Sequence, residues 1–110
     1  MSMSKVYAAV DPARAEIDAL EGPVLVEFGS PWCGYCRSVQ PLLAAAFAEH
    51  PRVHHIKVAD GSGQPLGRSF GVKLWPTLVF LKHGREVMRL VRPGDAGAIR
   101  QALARIDAAD

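Results

Sequence analysis

The chain of 110 residues has the usual length of one domain. Because 49% of its residues are apolar and only 22% are charged, its composition argues against an intrinsically disordered protein. The net charge is only +2, and Lys and Arg are scattered without a basic run, which argues against a nucleic-acid partner. No apolar stretch approaches the roughly 18 residues that span a bilayer, so we expect one globular domain over residues 1–110 with no membrane partner.

The N-terminal third begins with a weak strand candidate and continues into a helix and a buried strand. Lys5–Val10 is the weak candidate; Asp11 is placed to cap a helix that ends near Leu20, with Pro12 suited to its first position. Val24–Phe28 is a nearly continuous apolar run, typical of a strand that is buried on both faces. The residues before this strand hold no long apolar stretch, so we predict no secretory signal and expect the cytoplasm.

The rest of the chain alternates helices and strands. In order, the patterns predict a helix over Trp32–His50, a strand over Arg52–Ala59, one helical turn near Pro65–Phe70, strands over Thr77–Leu81 and Glu86–Val91 joined by a hairpin turn, and a helix from Gly94-Asp95 with a buried stripe of Ile99, Leu103 and Ile106. Helices between strands indicate parallel pairs. We therefore expect an α/β fold with a central mixed, mostly parallel sheet, helices on both faces, and a C-terminal antiparallel hairpin plus helix.

Both cysteines of the chain lie in the stretch "SPWCGYCR" and share one face of the predicted helix. Cys33 and Cys36 are at positions i and i+3, a spacing that suits a disulfide opening and closing with little backbone movement. Cys33 would lie at the helix N-terminus, where free N–H groups and the helix dipole stabilise a thiolate, and Arg37 adds positive charge. Cys36 would then resolve a mixed disulfide at high effective concentration.

Two other interpretations of the pair are weaker. A structural zinc site takes four ligands, and the remaining candidates are His50, His54, His55 and His83, with no second C-x-x-C. His54 and His55 are adjacent on a predicted strand, so they point to opposite faces. The two cysteines could also be buried core residues with no chemical role, since free Cys is often found in cores. We favour a redox pair and expect no metal site.

Taken together, several motifs resemble the thioredoxin family. They are "VLVEF", "WCGYC", Pro41 in the following helix, "WPTLVF" and "KHG", and they extend from Val24 to Val91. The C-x-x-C pair follows a predicted buried strand, and a downstream Pro-Thr opens another, which makes the signal specific. The resemblance implies a thioredoxin fold and thiol–disulfide exchange.

The resemblance also assigns roles to single residues. Cys33 corresponds to the exposed nucleophile, Cys36 to the resolving thiol and Trp32 to the Trp that shields the site. Pro76 corresponds to the family's cis-proline, which faces the disulfide and leaves the preceding backbone free to pair with substrate. We expect the substrate-binding set to be Trp32, Gly34, Tyr35, Trp75 and Pro76.

Glu27 corresponds to the family's buried acid, which is usually Asp. Its apolar neighbours would disfavour the charged form and poise it as a proton acceptor for Cys36, directly or through water. Lys57, in the neighbouring predicted strand, could pair with it. An alternative interpretation leaves Glu27 pointing to solvent at a strand edge. The extra methylene of Glu would alter the proton path.

Two residues depart from the family pattern. Tyr35 stands where thioredoxins usually have Pro, and C-G-Y-C resembles bacterial periplasmic disulfide isomerases; glutaredoxins also place Tyr before their second Cys. Such relatives are weaker reductants, with potentials of roughly −200 to −230 mV against about −270 mV for thioredoxin. Trp75 stands where most relatives have a smaller residue, so it would crowd the substrate groove, add a stacking surface, or simply pack.

The sequence thus predicts a thiol–disulfide oxidoreductase that reduces protein disulfides through the Cys33/Cys36 dithiol. Its expected partners are disulfide-containing client proteins and a partner reductase that donates electrons. We expect a monomer, with no cofactor beyond the Cys33–Cys36 disulfide itself. The alternatives are a disulfide isomerase or oxidase, and a non-catalytic peptide-binding module with an apolar docking patch.

Overall fold

Eight elements make up residues 3–108, the part of the chain that the computed structural model describes. In chain order they are α1 (Arg14–Asp18), β1 (Pro23–Gly29), α2 (Gly34–Phe47), β2 (His54–Ala59), α3 (Pro65–Ser69), β3 (Thr77–Lys82), β4 (Arg85–Val91) and α4 (Ala96–Asp107). Within this described part, no helix has the length and apolar character needed to cross a membrane.

The four strands form one mixed sheet in the order β2-β1-β3-β4. Only β1 and β2 are parallel, whereas β1–β3 and β3–β4 are antiparallel, so the expectation of a mostly parallel sheet is wrong. The cause lies in the connection before β3. The connection of residues 60–76 contains only the short α3 and returns the chain to the end of β1 that the last residues of β2 also reach, since Val58 and Thr77 both lie opposite Phe28. The strand β3 therefore starts at the edge where β2 ends and runs the opposite way.

The N-terminal segment is not a strand, contrary to the prediction for Lys5–Val10. It runs beside β2 and makes one backbone hydrogen bond to it, from the Ala8 N–H to the Lys57 carbonyl at 2.8 Å. The Ser4 N–H instead donates to the Nδ1 atom of His55 at 2.9 Å. One ladder bond does not make a strand, but these contacts fix the segment against the sheet.

The first helix also begins later than predicted. Ala13 is its N-cap, and the Ala13 N–H donates to Glu16 Oε1 at 3.1 Å, so Asp11 does not cap it. Because Glu16 satisfies this free N–H three residues further on, the helix starts at Arg14 and Pro12 lies outside it.

Helices cover both faces of the sheet, as expected. Helices α2 and α4 pack on one face, and α1 and α3 on the other. The predicted stripe of α4 is confirmed, since Ile99, Leu103 and Ile106 are fully buried, and Asp95 caps this helix by accepting the Ala98 N–H at 2.8 Å. The hairpin turn is also confirmed, with positive φ angles at His83 and Gly84.

One edge of the sheet gathers the residues of interest. The strand β1 ends there, and β3 begins there, with Phe28 opposite Thr77 in the antiparallel register. The turn that follows β1 leads to Cys33, and the loop that precedes β3 ends in Trp75 and Pro76. The topology therefore brings two segments more than 40 residues apart in sequence to the same place.

Candidate active site

Cys33 occupies the N-cap of α2, which confirms its predicted place at a helix N-terminus. A turn closed by the hydrogen bond from the Cys33 N–H to the Ser30 carbonyl at 3.2 Å leads from β1 into the helix. The Cys33 Sγ atom accepts the backbone N–H of Cys36 at 3.3 Å. Both thiols are free; Cys33 is half-buried, whereas Cys36 is 1% exposed. The accessible thiol thus receives the helix N–H, and the second lies behind it.

The surroundings drive the acidities of the two thiols apart. Burial alone would raise the pKa of Cys33, but hydrogen bonds from the Cys36 thiol and from the N–H groups of Cys36 and Tyr35, together with the charge of Arg92, outweigh it and lower that pKa. Burial raises the pKa of Cys36 to about 12, and its hydrogen bond with Cys33 and the negative charges of Cys33 and Glu27 act in the same direction. At neutral pH a larger fraction of Cys33 than of Cys36 is therefore thiolate, the form that attacks a disulfide.

The residues around the cysteines leave the site open to a large partner. The side chain of Trp32 is 86% exposed and that of Tyr35 is 60% exposed. Gly34 begins α2, and an added Cβ would meet no atom within 4 Å, so packing does not require glycine there. The accessible thiol therefore lies beside two exposed aromatic rings and an uncovered helix end.

The Trp75 carbonyl faces Cys33 from the loop that precedes β3. The Cys33 thiol lies 3.9 Å from the carbonyl oxygen of Trp75, and the Trp75–Pro76 peptide bond is cis. The indole N–H of Trp75 donates to Asp60 Oδ2 at 3.0 Å, which holds the ring to the loop after β2. The residue before the proline is thus fixed at both its backbone and its side chain.

Glu27 is fully buried in the middle of the sheet, so the alternative that it points to solvent is wrong. Its Oε1 atom lies 2.8 Å from His55 Nε2, and its Oε2 atom accepts a hydrogen bond from Gln40 Nε2 at 2.9 Å. The Lys57 ammonium lies 3.7 Å from Oε2, so one buried carboxylate faces one nearly buried cation. The structure therefore brings Glu27 and Lys57 together.

Hydrogen bonds connect this buried group to the active-site helix. Gln40 Nε2 also donates to the Cys36 carbonyl at 2.7 Å, and Lys57 Nζ donates to Gln40 Oε1 at 3.0 Å. Since the Ser4 N–H donates to His55 Nδ1, that nitrogen is the acceptor, and the proton of the neutral ring is on Nε2, directed at Glu27. We call Glu27, Gln40, His55 and Lys57 the buried polar network.

Sequence reasoning missed four residues of this region. Gln40 and His55 complete the buried polar network; His55 had a signal, because it alternates with Lys57 along β2 and so shares its face. Arg92 and Tyr7 come from irregular segments, where no periodicity indicates what a side chain contacts.

Tyr7 reaches the space beside Cys36 that Gly29 leaves open. A Cβ on Gly29 would lie 2.9 Å from Cys36 Sγ and 3.3 Å from the Tyr7 hydroxyl. Lys57 Nζ is 4.6 Å from the centre of the Tyr7 ring. Burial, followed by the negative charges of Cys36, Glu27 and Cys33, raises the pKa of Tyr7 to about 12, so it stays a hydroxyl donor at neutral pH.

Within residues 3–108, no three or more His, Cys, Asp or Glu side chains come together in a group that could hold a metal ion.

Comparison with known proteins gives a consistent result. A family model described as Thioredoxin matches residues 7–105. A thioredoxin of Chlamydia muridarum is 45% identical over 71 residues, covering 64% of this chain and 69% of that protein. Thioredoxin 1 of Synechococcus elongatus is 35% identical over 91 residues, covering 78% and 83%. The structure of thioredoxin 2 from Pseudomonas aeruginosa PAO1 in its reduced form superposes with a TM-score of 0.84 at 56% identity, covering 96% of this chain and 97% of that one.

Proposed function

The chain belongs to the thioredoxin family and is a thiol–disulfide oxidoreductase, and we propose that it reduces disulfides of client proteins with Cys33 as nucleophile and Cys36 as resolving thiol. The observation that carries these roles is the unequal pair. The accessible thiol has the lowered pKa and the buried thiol the raised one.

The reaction proceeds in two exchanges. The Cys33 thiolate attacks one sulfur of the client disulfide, the client S–S bond breaks, and the second client sulfur leaves as a thiolate that takes up a proton. Cys36 then loses its proton and attacks Cys33 Sγ, which forms the Cys33–Cys36 disulfide and releases the first client sulfur. The client gains two electrons and the enzyme dithiol loses them. We assign Glu27 as the acceptor of the Cys36 proton, through water, with Lys57 balancing its charge.

The remaining residues receive substrate roles in this proposal. Trp32 and Tyr35 offer exposed rings to the client, and Gly34 keeps the helix end clear for its backbone. Trp75 faces Cys33 from the other side through its carbonyl, and we assign it, with the adjacent Pro76, to the wall along which a client strand would lie.

The oxidised pair must be reduced again before the next turnover. Thioredoxins receive electrons from a reductase, and we propose that such a partner reduces the Cys33–Cys36 disulfide, which serves as the only redox group. We further propose the cytoplasm as the compartment, because thiols are kept reduced there.

Insulin reduction tests the proposed roles directly. Wild type should reduce insulin with a thiol donor, Cys33→Ser should be inactive, and Cys36→Ser should accumulate a covalent mixed disulfide through Cys33. Thiol-independent binding of clients, with no turnover by wild type, would instead support a peptide-binding module.

A disulfide isomerase or oxidase is the second candidate, because Tyr35 replaces the usual Pro and because the lowered pKa of Cys33 favours the reduced form of the enzyme. Equilibration with glutathione measures the reduction potential of the Cys33–Cys36 pair. A potential near that of glutaredoxins favours the second candidate, and one at or below that of thioredoxin removes it. Reactivation of scrambled ribonuclease separates an isomerase from a reductase.

A further inference from the structure

Arg92 connects three parts of the active site from the loop after β4. Its backbone N–H donates to the Pro76 carbonyl at 2.9 Å, and its Nε donates to the Trp75 carbonyl at 2.8 Å. Its guanidinium carbon lies 4.2 Å from the centre of the Tyr35 ring, within cation–π distance. The same Trp75 carbonyl faces the Cys33 thiol, so a fixed cation lies close to the nucleophile.

The hydrogen-bonding capacity of this guanidinium is largely unused. Arginine has five N–H donors, and among the described residues only the Trp75 carbonyl accepts one from the Arg92 side chain, at Nε. The residue is exposed. Its two terminal nitrogens are thus left for a planar acceptor, and a carboxylate matches that fork with two parallel hydrogen bonds.

A pocket of about 440 Å³ opens beside Arg92, between α2 and the loop that leads to α4. It is lined by Tyr35, Ser38, Leu42, Arg92, Pro93 and Gly94. None of these lining residues is acidic. The acidic residue nearest to Arg92 in sequence is Asp95, and its carboxylate caps α4 by accepting the Ala98 N–H. The pocket therefore offers a cation, two side chains with hydroxyl groups and the apolar side chain of Leu42, and it adjoins the redox pair through Tyr35.

We propose that this pocket binds an acidic side chain of the client, next to the disulfide that Cys33 attacks, and so makes the enzyme selective for clients with acidic residues there. The occupant follows from charge complementarity, and the inference rests on the proposed reduction of protein disulfides. Arg92 acts as a specificity residue, since its guanidinium would pair with the client carboxylate while Trp75 and Tyr35 hold it in place.

The test uses two synthetic disulfide peptides that differ only in Glu or Gln at the residues adjacent to the reactive cysteine. The measured quantity is the ratio of kcat/KM for the Glu peptide to that for the Gln peptide. An exposed ion pair contributes about 0.2–1 kcal/mol, so wild type should favour Glu by roughly 1.4- to five-fold at low salt, less at high salt. In Arg92→Gln the ratio should fall to about one, and Arg92→Lys should restore part of it.

The ratio separates this pocket from other effects of the same arginine. Loss of the Arg92 charge also changes the reactivity of Cys33, but this change affects both peptides equally and cancels. Arg37→Gln is the matched control, because Arg37 is also exposed near the cysteines and its described side-chain contact is the Pro31 carbonyl. Arg37→Gln should retain the preference.

Several results would overturn the proposal. The first is a wild-type ratio of one, and the second is a preference that survives Arg92→Gln. The third is an equal loss in Arg37→Gln, because it would mean that positive charge near the site in general, and not Arg92 in the pocket, sets the preference. Arg92-dependent reduction of glutathione disulfide without a peptide preference would assign the pocket to a small carboxylate ligand instead. If wild type reduces neither peptide, the proposed function itself fails, which is a distinct outcome.

Discussion

Replacement of His55 by Phe should destabilise the protein through the buried polar network. His55 and Glu27 both have fully buried side chains, and His55 Nε2 lies 2.8 Å from Glu27 Oε1. Phe keeps a ring that can stack on Phe47, whose centre lies 5.0 Å from that of His55, but it cannot donate. Glu27 Oε1 then loses its hydrogen bond to His55 and is left unpaired in the core.

The expected magnitude follows from that unpaired oxygen. Loss of a hydrogen bond to a buried charged group costs about 1.5–3 kcal/mol, and the Ser4 N–H loses its acceptor as well. We expect a loss of about 2–3 kcal/mol, which lowers the melting temperature by roughly 8–12 °C in a chain of this size. Urea unfolding followed by circular dichroism gives the free energy of unfolding, and calorimetry gives the melting temperature.

His54→Phe is the matched control. His54 precedes His55 on β2, so it points to the opposite face of the sheet, and it is only half-buried. This substitution should cost less than about 1 kcal/mol. His55→Gln should recover part of the loss, since its amide can still donate to Glu27. If His55→Phe is no more destabilising than His54→Phe, the argument that His55 satisfies the buried carboxylate is wrong.

Three further predictions concern the active site. Iodoacetamide should modify Cys33 of the reduced protein at a lower pH than it modifies an ordinary thiol, because a lowered pKa gives more thiolate. Cys36, with its pKa of about 12, should stay unmodified near neutral pH. Peptide mass spectrometry measures the two alkylation rates, and equal rates would contradict the prediction. Gly29→Ala should slow the attack of Cys36 on the mixed disulfide, because the new Cβ would lie 2.9 Å from Cys36 Sγ and that thiol must move. Acid-quenched time courses should then show accumulated mixed disulfide. Unchanged kinetics would mean that Cys36 can move aside without losing its position for attack. Trp75→Ile removes the indole hydrogen bond to Asp60 and should broaden the range of reduced clients; an unchanged substrate profile would leave Trp75 a packing role only.

Local sequence patterns predicted the parts of the fold that depend on neighbours in sequence. The apolar run at Val24–Phe28 became the buried strand β1, and Asp95 became the cap of α4. Cys33 lies at a helix N-terminus because a turn and a helix start are encoded within a few residues. Each of these features is decided by periodicity or by a cap, which a single sequence records.

Features that depend on distant contacts were not predictable in the same way. The direction of β3 depends on the edge of the sheet at which the connection of residues 60–76 ends, whereas a helix between two strands is typical of a parallel crossover. Arg92 lies in a loop with a positive φ of 49°, and its side chain meets residues 17 and 57 positions away in sequence, Trp75 and Tyr35. Neither contact has a periodic signature, so only the assembled fold reveals it.

In the reaction proposed above, the opposite acidities of the two thiols set the order of the two exchanges. The hydrogen bond between Cys33 and Cys36 lowers the pKa of the first and raises that of the second, and the anionic Cys33 raises the latter further. When Cys33 enters a mixed disulfide, its negative charge disappears, and with it one of the causes that keep Cys36 protonated. The resolving thiol therefore becomes more acidic only after the client is attached. The charge of Arg92 acts on the other thiol and at the earlier stage, because it lowers the pKa of Cys33 before the client binds. Attack by Cys33 is favoured in the free enzyme, and attack by Cys36 in the covalent complex.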